Sequence, residues 1–116
     1  MTSFVDSDAP PTLGRAQTFI EQHAADDIRA DDIAEAASVT VRSVQLAFRQ
    51  HLGTTPGSYL RSVRLERAHR DLLRADRGSG GTVAAIAARW QFASPSRFAA
   101  YYREAFGELP SETLGH

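Results

Sequence analysis

Apolar residues recur every three or four positions along almost the whole chain, which is the spacing of an amphipathic α-helix. After residue 11 the pattern runs through Leu13, Ala16 and Phe19-Ile20, and similar stripes follow it. No segment alternates between apolar and polar residues as a half-buried strand would. We therefore predict an all-α protein, with helices at about 12–25, 31–37, 40–52, 56–75, 82–89 and 94–106 and a last turn at 110–114.

Helix starts are marked by side chains that can accept hydrogen bonds from free backbone N–H groups. Asp31 and Asp32 offer such a cap, and a favourable negative charge, at the start of one helix. Glycine directly after a helix stops it, because glycine adopts the left-handed conformation easily. The other predicted markers are Thr40, Thr55, Thr82 and Ser94 at helix starts, and Gly53 and Gly107 at helix ends.

The same stripes predict which residues are buried, because one face of each helix must lie against the core. The predicted core residues are Val44, Ala47, Phe48 and Leu52 in the 40–52 helix, Leu60, Val63, Leu65, Ala68, Leu72 and Leu73 in the 56–75 helix, and Phe98, Tyr102 and Phe106 in the 94–106 helix.

A helix–turn–helix pattern occurs twice in the chain. The first copy reads DDIAEAASVTVRSVQLAFRQHLGTTP and the second TVAAIAARWQFASPSRFAAYYREAFGELP. The offset between them is 53 residues before the turn (Ile33 to Ile86) and 54 after it (Phe48 to Tyr102), so the second turn holds one extra residue. Two short helices cannot bury a core alone, and we expect the chain to present two similar helices side by side.

Charge is distributed unevenly along the chain. The net charge is −1, but residues 1–40 carry −6 and residues 41–116 carry +5, and every Lys/Arg position is Arg. Arg suits bidentate contact with phosphate and guanine better than Lys does, although a GC-rich genome would also produce an all-Arg composition. The local asymmetry favours a DNA partner despite the near-neutral total.

Several classes of protein are excluded by composition. The chain has no cysteine, which removes disulfides and thiolate chemistry. Its start, MTSFVDSDAPPTLG, lacks the basic region and apolar run of a signal peptide. No apolar stretch approaches the roughly 20 residues of a membrane span. We expect a cytoplasmic protein with no membrane partner.

Two motifs link the copies to a known family. The first runs Phe48-Arg49, Leu52-Gly53-x-x-Pro56-x-x-Tyr59-Leu60-x-x-x-Arg64-Leu65, and the second runs Ile86-Ala87, Phe92-x-Ser94-Pro95-Ser96-x-Phe98 and Phe106-Gly107-x-x-Pro110. From Thr12 to Leu114 the sequence resembles the DNA-binding domain of AraC/XylS-type transcription regulators. The resemblance implies seven helices, two helix–turn–helix subdomains joined by a long helix, and a monomer that spans two adjacent major-groove segments.

We accordingly divide the chain into a linker at 1–10 and a DNA-binding domain at 11–116. The domain comprises a first subdomain (11–55), a connecting helix (56–76) and a second subdomain (77–116), with the RGSGG segment at 77–81 as a flexible break. A helix of about 18–20 residues is about 27–30 Å long, close to the ~34 Å of one DNA turn. Because the two recognition helices lie in one chain and differ in sequence, we expect an asymmetric DNA site.

The connecting helix carries arginines at helical spacing. Glu66–Arg70 and Arg67–Asp71 form i, i+4 pairs of opposite charge. Two interpretations follow, a solvated face with internal ion pairs or a track for DNA phosphates, and the first is favoured.

The first recognition helix, at 40–52, offers one polar face. Arg42 and Gln45 are the candidate base readers, because Arg pairs with guanine and Gln with adenine. The family resemblance points to the same two positions. Arg49 and the hydroxyls of Thr40 and Ser43 are better placed for phosphates, which orient a protein without specifying sequence. The alternative is an ordinary solvated helix face.

The second recognition helix begins with Ser94 and Pro95. Ser96, Arg97 and Arg103 are its polar residues that face outward or lie at the edge of that face. We therefore include all five of these residues in the candidate DNA-binding set, and expect this helix to contribute less sequence-specific hydrogen bonding than the first.

Four residues depart from the family pattern. Leu46 stands where the family often has a basic residue, and could contact a thymine methyl group or pack against a partner domain. Ala99 and Ala100 stand where the family often has basic or hydroxyl residues. Gln91 replaces the glycine usual before Phe92, at some cost if the backbone there is left-handed.

An enzyme is a poor match to the sequence. The four histidines are scattered without metal-ligand spacing, and RGSGG lacks the preceding strand of a phosphate-binding loop. We expect neither cofactor nor metal. The alternative to DNA binding is a helical interaction module for another protein. Candidate partners are double-stranded DNA, RNA polymerase and an effector-binding domain that this chain does not contain.

Overall fold

The protein is described by a computed structural model over residues 11–75 and 82–115. Within these ranges every regular element is an α-helix, as predicted, and seven are present. The predicted ends agree with the observed ones to within two residues. The helices are α1 (Pro11–His23), α2 (Ala30–Ala37), α3 (Val41–Leu52), α4 (Pro56–Arg74), α5 (Val83–Arg89), α6 (Pro95–Phe106) and α7 (Pro110–Gly115).

Two predicted segments, the linker at 1–10 and the RGSGG break at 77–81, lie outside the described residues. Among the helices that are described, none combines the length and the apolar character that crossing a membrane requires.

The chain forms two compact units, one up to Arg61 and one from Ser62 onward, and α4 runs through the boundary. In the first unit α1 packs against α2 and α3. The Phe48 ring meets Tyr59 edge to face, with 5.4 Å between centroids, and the Tyr59 hydroxyl donates to Glu21 at 2.6 Å. The buried apolar residues of this unit are Leu13, Ala16, Ile20, Ala24, Ile33, Ala34, Ala37, Val44, Ala47, Phe48 and Leu60.

The second unit has its own core, in which α4, α5 and α6 contribute together. Its fully buried aromatic residues are Phe98 and Tyr102, whose centroids lie 5.6 Å apart. Phe92 and Phe106 extend this row at 4.8 Å and 4.7 Å from their neighbours. The buried cluster consists of Leu65, Ala68, Leu72, Ile86, Ala87, Phe98 and Tyr102.

Helix caps explain why the elements begin where they do. The side chains of Thr40, Thr55, Thr82 and Ser94 each accept a hydrogen bond from the backbone N–H three residues on, at 3.0–3.2 Å. All four predicted caps are confirmed.

The start of α2 differs from the prediction. Arg29, not Asp31 or Asp32, is the residue before the first helical turn. Asp32 reaches back and accepts a hydrogen bond from the Arg29 backbone N–H at 2.8 Å. The predicted favourable charge is present, since both aspartates lie in the first turn.

Two leucines predicted to be buried are exposed. Leu52 is 41% exposed and Leu73 is 62% exposed, while Val63 is half-buried. Leu52 lies in the last turn of α3 beside the terminating Gly53. Leu73 follows the buried Leu72, and consecutive helical residues point about 100° apart, so only one of the two faces the core.

The predicted ion pair between Glu66 and Arg70 of α4 is present. Arg70 Nη2 lies 3.4 Å from Glu66 Oε2 between two exposed side chains. The Asp71 carboxylate, predicted as the partner of Arg67, accepts hydrogen bonds from Arg89 Nη1 and Trp90 Nε1, each at 2.8 Å. Asp71 therefore fixes the end of α5 against α4, a tertiary contact that sequence spacing does not reveal.

Candidate nucleic-acid interface

The two helix–turn–helix turns share one backbone design. Ser38 and Gln91 both have a left-handed backbone, with φ of 61° and 67°. In each turn this residue donates its N–H three residues back, to Glu35 or Ala88. The following residue, Val39 or Phe92, donates five residues back, to Ala34 or Ala87. This is the Schellman pattern that ends many helices.

The turns differ after the left-handed residue. Thr40, the cap of α3, comes two residues after Ser38, whereas Ser94, the cap of α6, comes three residues after Gln91. The additional residue predicted in the second turn is thus present. Gln91 does adopt the left-handed conformation for which glycine is the usual choice.

Helix α3 separates into a buried and an exposed face. Val44, Ala47 and Phe48 are buried against α1 and α2. The six residues predicted to meet DNA from this helix are all exposed: Thr40, Arg42, Ser43, Gln45, Leu46 and Arg49. Leu46 is 43% exposed, so it is an apolar residue within a polar surface.

Four of these residues line one surface cavity of about 320 Å³, namely Arg42, Gln45, Leu46 and Arg49. The fifth residue of its lining is Thr55, which our sequence analysis assigned only as a helix cap. Its side-chain oxygen accepts from Ser58 N–H at 3.1 Å.

Thr40 and Ser43 lie outside that cavity lining, at the N-terminal end of α3. The Thr40 Oγ1 lies 3.1 Å from both the backbone N and the Oγ of Ser43. The two hydroxyls therefore lie together at the N-terminal end of α3, where the positive end of the helix dipole favours bound phosphate.

Helix α6 has the same division of faces with fewer polar groups. Phe98 and Tyr102 are fully buried. Pro95, Ser96, Arg97 and Arg103 are exposed, while Ser94 is half-buried and caps the helix through Arg97 N–H at 3.2 Å. Ala100 is exposed and Ala99 half-buried, so the middle of this face holds no hydrogen-bonding side chain.

Basic and acidic residues are concentrated on different helices. Helix α3 holds Arg42 and Arg49 and no acidic residue. Helix α2 has Asp31 and Asp32 in its first turn, and Asp26 Oδ2, in the neighbouring α1–α2 loop, lies 3.0 Å from His23 Nδ1 at the end of α1. Arg42 thus adds positive charge near the positive N-terminal end of the α3 dipole, and Arg49 adds positive charge in the last turn of the helix.

Across residues 11–75 and 82–115, no group of three or more His, Asp or Glu side chains is placed to hold a metal ion.

Comparison with known proteins gives consistent results. A family model described as a helix-turn-helix domain matches residues 33–116. The chain is 42% identical over 105 residues to the probable thc operon regulatory protein of Rhodococcus erythropolis, covering 90% of this chain and 31% of that protein. It is 38% identical over 104 residues to the XylDLEGF operon transcriptional activator of Pseudomonas putida, covering 90% of this chain and 32% of that protein.

A crystal structure of a transcriptional regulator with an AraC-type DNA-binding domain, from Chromobacterium violaceum, has a similar fold. Its TM-score is 0.83 at 28% identity, with 94% of each chain covered. This chain spans about a third of the length of the curated relatives first matched.

Proposed function

The chain belongs to the AraC/XylS family of transcription regulators, as a DNA-binding helix–turn–helix domain, and from this premise we propose that α3 and α6 read successive major-groove segments of an asymmetric DNA site. The observation that carries the proposal is the exposed face of α3. There Arg42, Gln45, Leu46 and Arg49 surround one cavity on a helix without acidic residues.

In this proposal α3 supplies most of the sequence discrimination. Arg42 and Gln45 read base edges, since each good bidentate contact discriminates by about 1–3 kcal/mol. Leu46, which belongs to the same cavity lining, meets a thymine methyl group. Arg49, with the hydroxyls of Thr40 and Ser43 at the helix start, binds phosphates and fixes the helix in the groove.

Helix α6 has a supporting role. Its exposed polar residues are Ser96, Arg97 and Arg103, with Ser94 and Pro95 at the start of the helix. Ala99 and Ala100 bring no donors, so α6 contributes phosphate contacts and shape more than base hydrogen bonds.

The whole regulator is larger than this domain in our proposal. The two relatives described above are about three times as long and are named as operon regulators. We infer a regulator in which an effector-binding domain accompanies this one and RNA polymerase is the partner at the promoter. Such a protein acts by binding rather than catalysis, in the cytoplasm where the bacterial chromosome lies.

A gel mobility-shift experiment tests the proposal. Duplex DNA selected from a randomised pool is titrated with the chain at about 50 and about 200 mM salt, and affinity should fall at least about 100-fold because phosphate neutralisation releases counterions. Selection of no consensus, or affinity that is insensitive to salt, would contradict the proposal and favour a protein-binding module.

A further inference from the structure

A chain of hydrogen bonds runs through the second unit and passes through the recognition helix α6. His69 Nδ1, on α4, lies 2.7 Å from the Tyr102 hydroxyl. That hydroxyl donates to Thr113 Oγ1, on α7, at 2.8 Å. Thr113 in turn donates to the Glu108 carboxylate, just before α7. Four residues thus join α6 to the elements on both sides of it.

The direction of the chain follows from counting protons. A carboxylate only accepts, so Thr113 must use its one hydroxyl proton on Glu108 and must accept from Tyr102. Tyr102 then has no proton left for His69, and His69 Nδ1 has to be the donor. His69 therefore donates, Tyr102 and Thr113 each accept one hydrogen bond and donate another, and Glu108 accepts.

The buried surroundings of these hydrogen bonds make them sensitive to the orientation of α6. Tyr102 is fully buried and Thr113 is 3% exposed. The His69 ring stacks on Phe106 of α6, with centroids 4.3 Å apart and 11° between the planes. Apolar packing is non-directional and tolerates a small rotation of a helix, whereas hydrogen bonds weaken steeply away from linear geometry.

Among the described residues, no equivalent chain of hydrogen bonds passes through the first recognition helix, α3. The repeat aligns Tyr102 with Phe48, which has a buried ring but no hydroxyl and packs edge to face on Tyr59. Helix α3 presents base-reading side chains across its exposed face, while α6 has two alanines there. A recognition helix with few polar contacts to DNA depends more on the accurate positioning of those few side chains.

We propose that His69, Tyr102, Thr113 and Glu108 are positioning residues that set the rotation of α6, so that Ser96, Arg97 and Arg103 meet the DNA in register. The inference rests on the proposed function, because it explains the chain of hydrogen bonds by the DNA contacts that α6 makes. None of the four residues needs to touch DNA.

The test compares two substitutions at one position. Thr113→Val keeps the shape and removes the hydroxyl, whereas Thr113→Ser keeps the hydroxyl and removes a methyl group. Each variant of the full chain is selected against duplex DNA with a randomised core. Because the chain has no cysteine, a Glu104→Cys background provides a single attachment point on α6 for a DNA-cleaving chelate, which identifies the half-site nearest α6.

Thr113→Val should lose base preference in the α6 half-site by about tenfold, equivalent to about 1.4 kcal/mol, while preference in the other half-site stays at the parental value. Thr113→Ser should retain both preferences. Equal loss in both half-sites, or full retention by Thr113→Val, would overturn the inference while leaving the proposed DNA binding intact.

Hydrogen exchange supplies a readout that needs no DNA. The amides of α6 should exchange faster in Thr113→Val than in Thr113→Ser, with α3 amides unchanged. Unchanged exchange in α6 would contradict the inference even if the chain binds DNA as proposed. Failure of the parental chain to select any DNA site would instead contradict the proposed function, and the role assigned to the chain of hydrogen bonds with it.

Discussion

At the scale of single residues, the two turns show what a left-handed backbone demands. Ser38 and Gln91 adopt φ of 61° and 67°, while Gly53 and Gly107, with φ of 65° and 79°, end the two recognition helices. Side chains with a Cβ pay about 1–2 kcal/mol in this region. The chain therefore uses glycine at two of its four described left-handed positions and accepts strain at the other two.

Replacing Gln91 by glycine should relieve that strain. We expect Gln91→Gly to raise the free energy of unfolding by about 1 kcal/mol, measured by urea denaturation. Gln91→Ala is the matched control, since it shortens the side chain but keeps the Cβ, and it should bring no gain. A Gln91→Gly variant no more stable than Gln91→Ala would show that the turn is unstrained.

Tyr102 should make the free energy of unfolding depend on pH in the alkaline range. Burial, together with the charge of Glu108, raises the pKa of its hydroxyl above the ordinary value of 10.0, although the Thr113 hydrogen bond opposes the rise. A pKa raised in the folded state stabilises the protein below the unfolded pKa, and this contribution is lost as pH rises through the folded value.

The unfolding free energy should therefore fall as the pH passes above 10.0, the value expected of Tyr102 in the unfolded chain. Tyr102→Phe should be less stable at neutral pH, because it breaks the hydrogen-bond chain, yet lose less stability at alkaline pH. Denaturation curves at stepped pH values check both effects. If the parent and Tyr102→Phe lost the same unfolding free energy at alkaline pH, another group would be responsible for that loss. Tyr59 would be the next group to examine, since its pKa is also raised by burial and by Glu21.

At the scale of helices, α3 and α6 repeat one design with different chemistry. We expect Arg42→Ala to weaken binding to the selected site by about 10-fold or more, with little effect on unrelated duplex, because a base contact is lost. Arg103→Ala should weaken both by similar factors, because phosphate contacts do not depend on sequence. Mobility shifts on both DNAs give the two ratios, and equal ratios for the two variants would contradict this division of roles.

Helix ends were predictable because they depend on local chemistry. Thr40, Thr55 and Ser94 cap helices through bonds to residues three positions away, and a short sequence window contains all the information needed. Burial at the edges of apolar stripes was less predictable. Leu52 and Leu73 continue the helical pattern, yet both side chains are exposed, and periodicity alone cannot show where a core ends.

The candidate interface could likewise be predicted from the sequence only in part. The exposure of Arg42, Gln45 and Arg49 follows from the buried Val44 and Phe48 on the opposite face of α3, so the sequence was sufficient to identify that surface. Contacts between distant residues were not predictable in this way. The lining contributed by Thr55, the Asp71–Trp90 hydrogen bond and the chain through Tyr102 depend on tertiary packing, for which sequence spacing carries no signal.

At the scale of the molecule, the near-neutral total charge hides a separation that suits DNA binding. Residues 1–40 carry −6 and residues 41–116 carry +5, and the boundary falls directly before α3. Repulsion between phosphates and the acidic α2 would oppose any docking that brings α2 close to the backbone, whereas α3 attracts it. The charge pattern thus favours one orientation of the first unit on DNA.

The proposed two-segment site depends on α4, which begins in the first unit and continues into the second. Inserting one alanine between Arg61 and Ser62 would rotate all later residues by about 100° and shift them by about 1.5 Å. Because the insertion falls at the boundary of the units, each core should remain intact. We expect affinity for the selected DNA to fall by about 100-fold or more, since the second helix–turn–helix can no longer engage together with the first. Thermal denaturation followed by circular dichroism provides the stability control, and an insertion variant that folds and keeps the parental affinity would show that α4 does not set the spacing of the two readers.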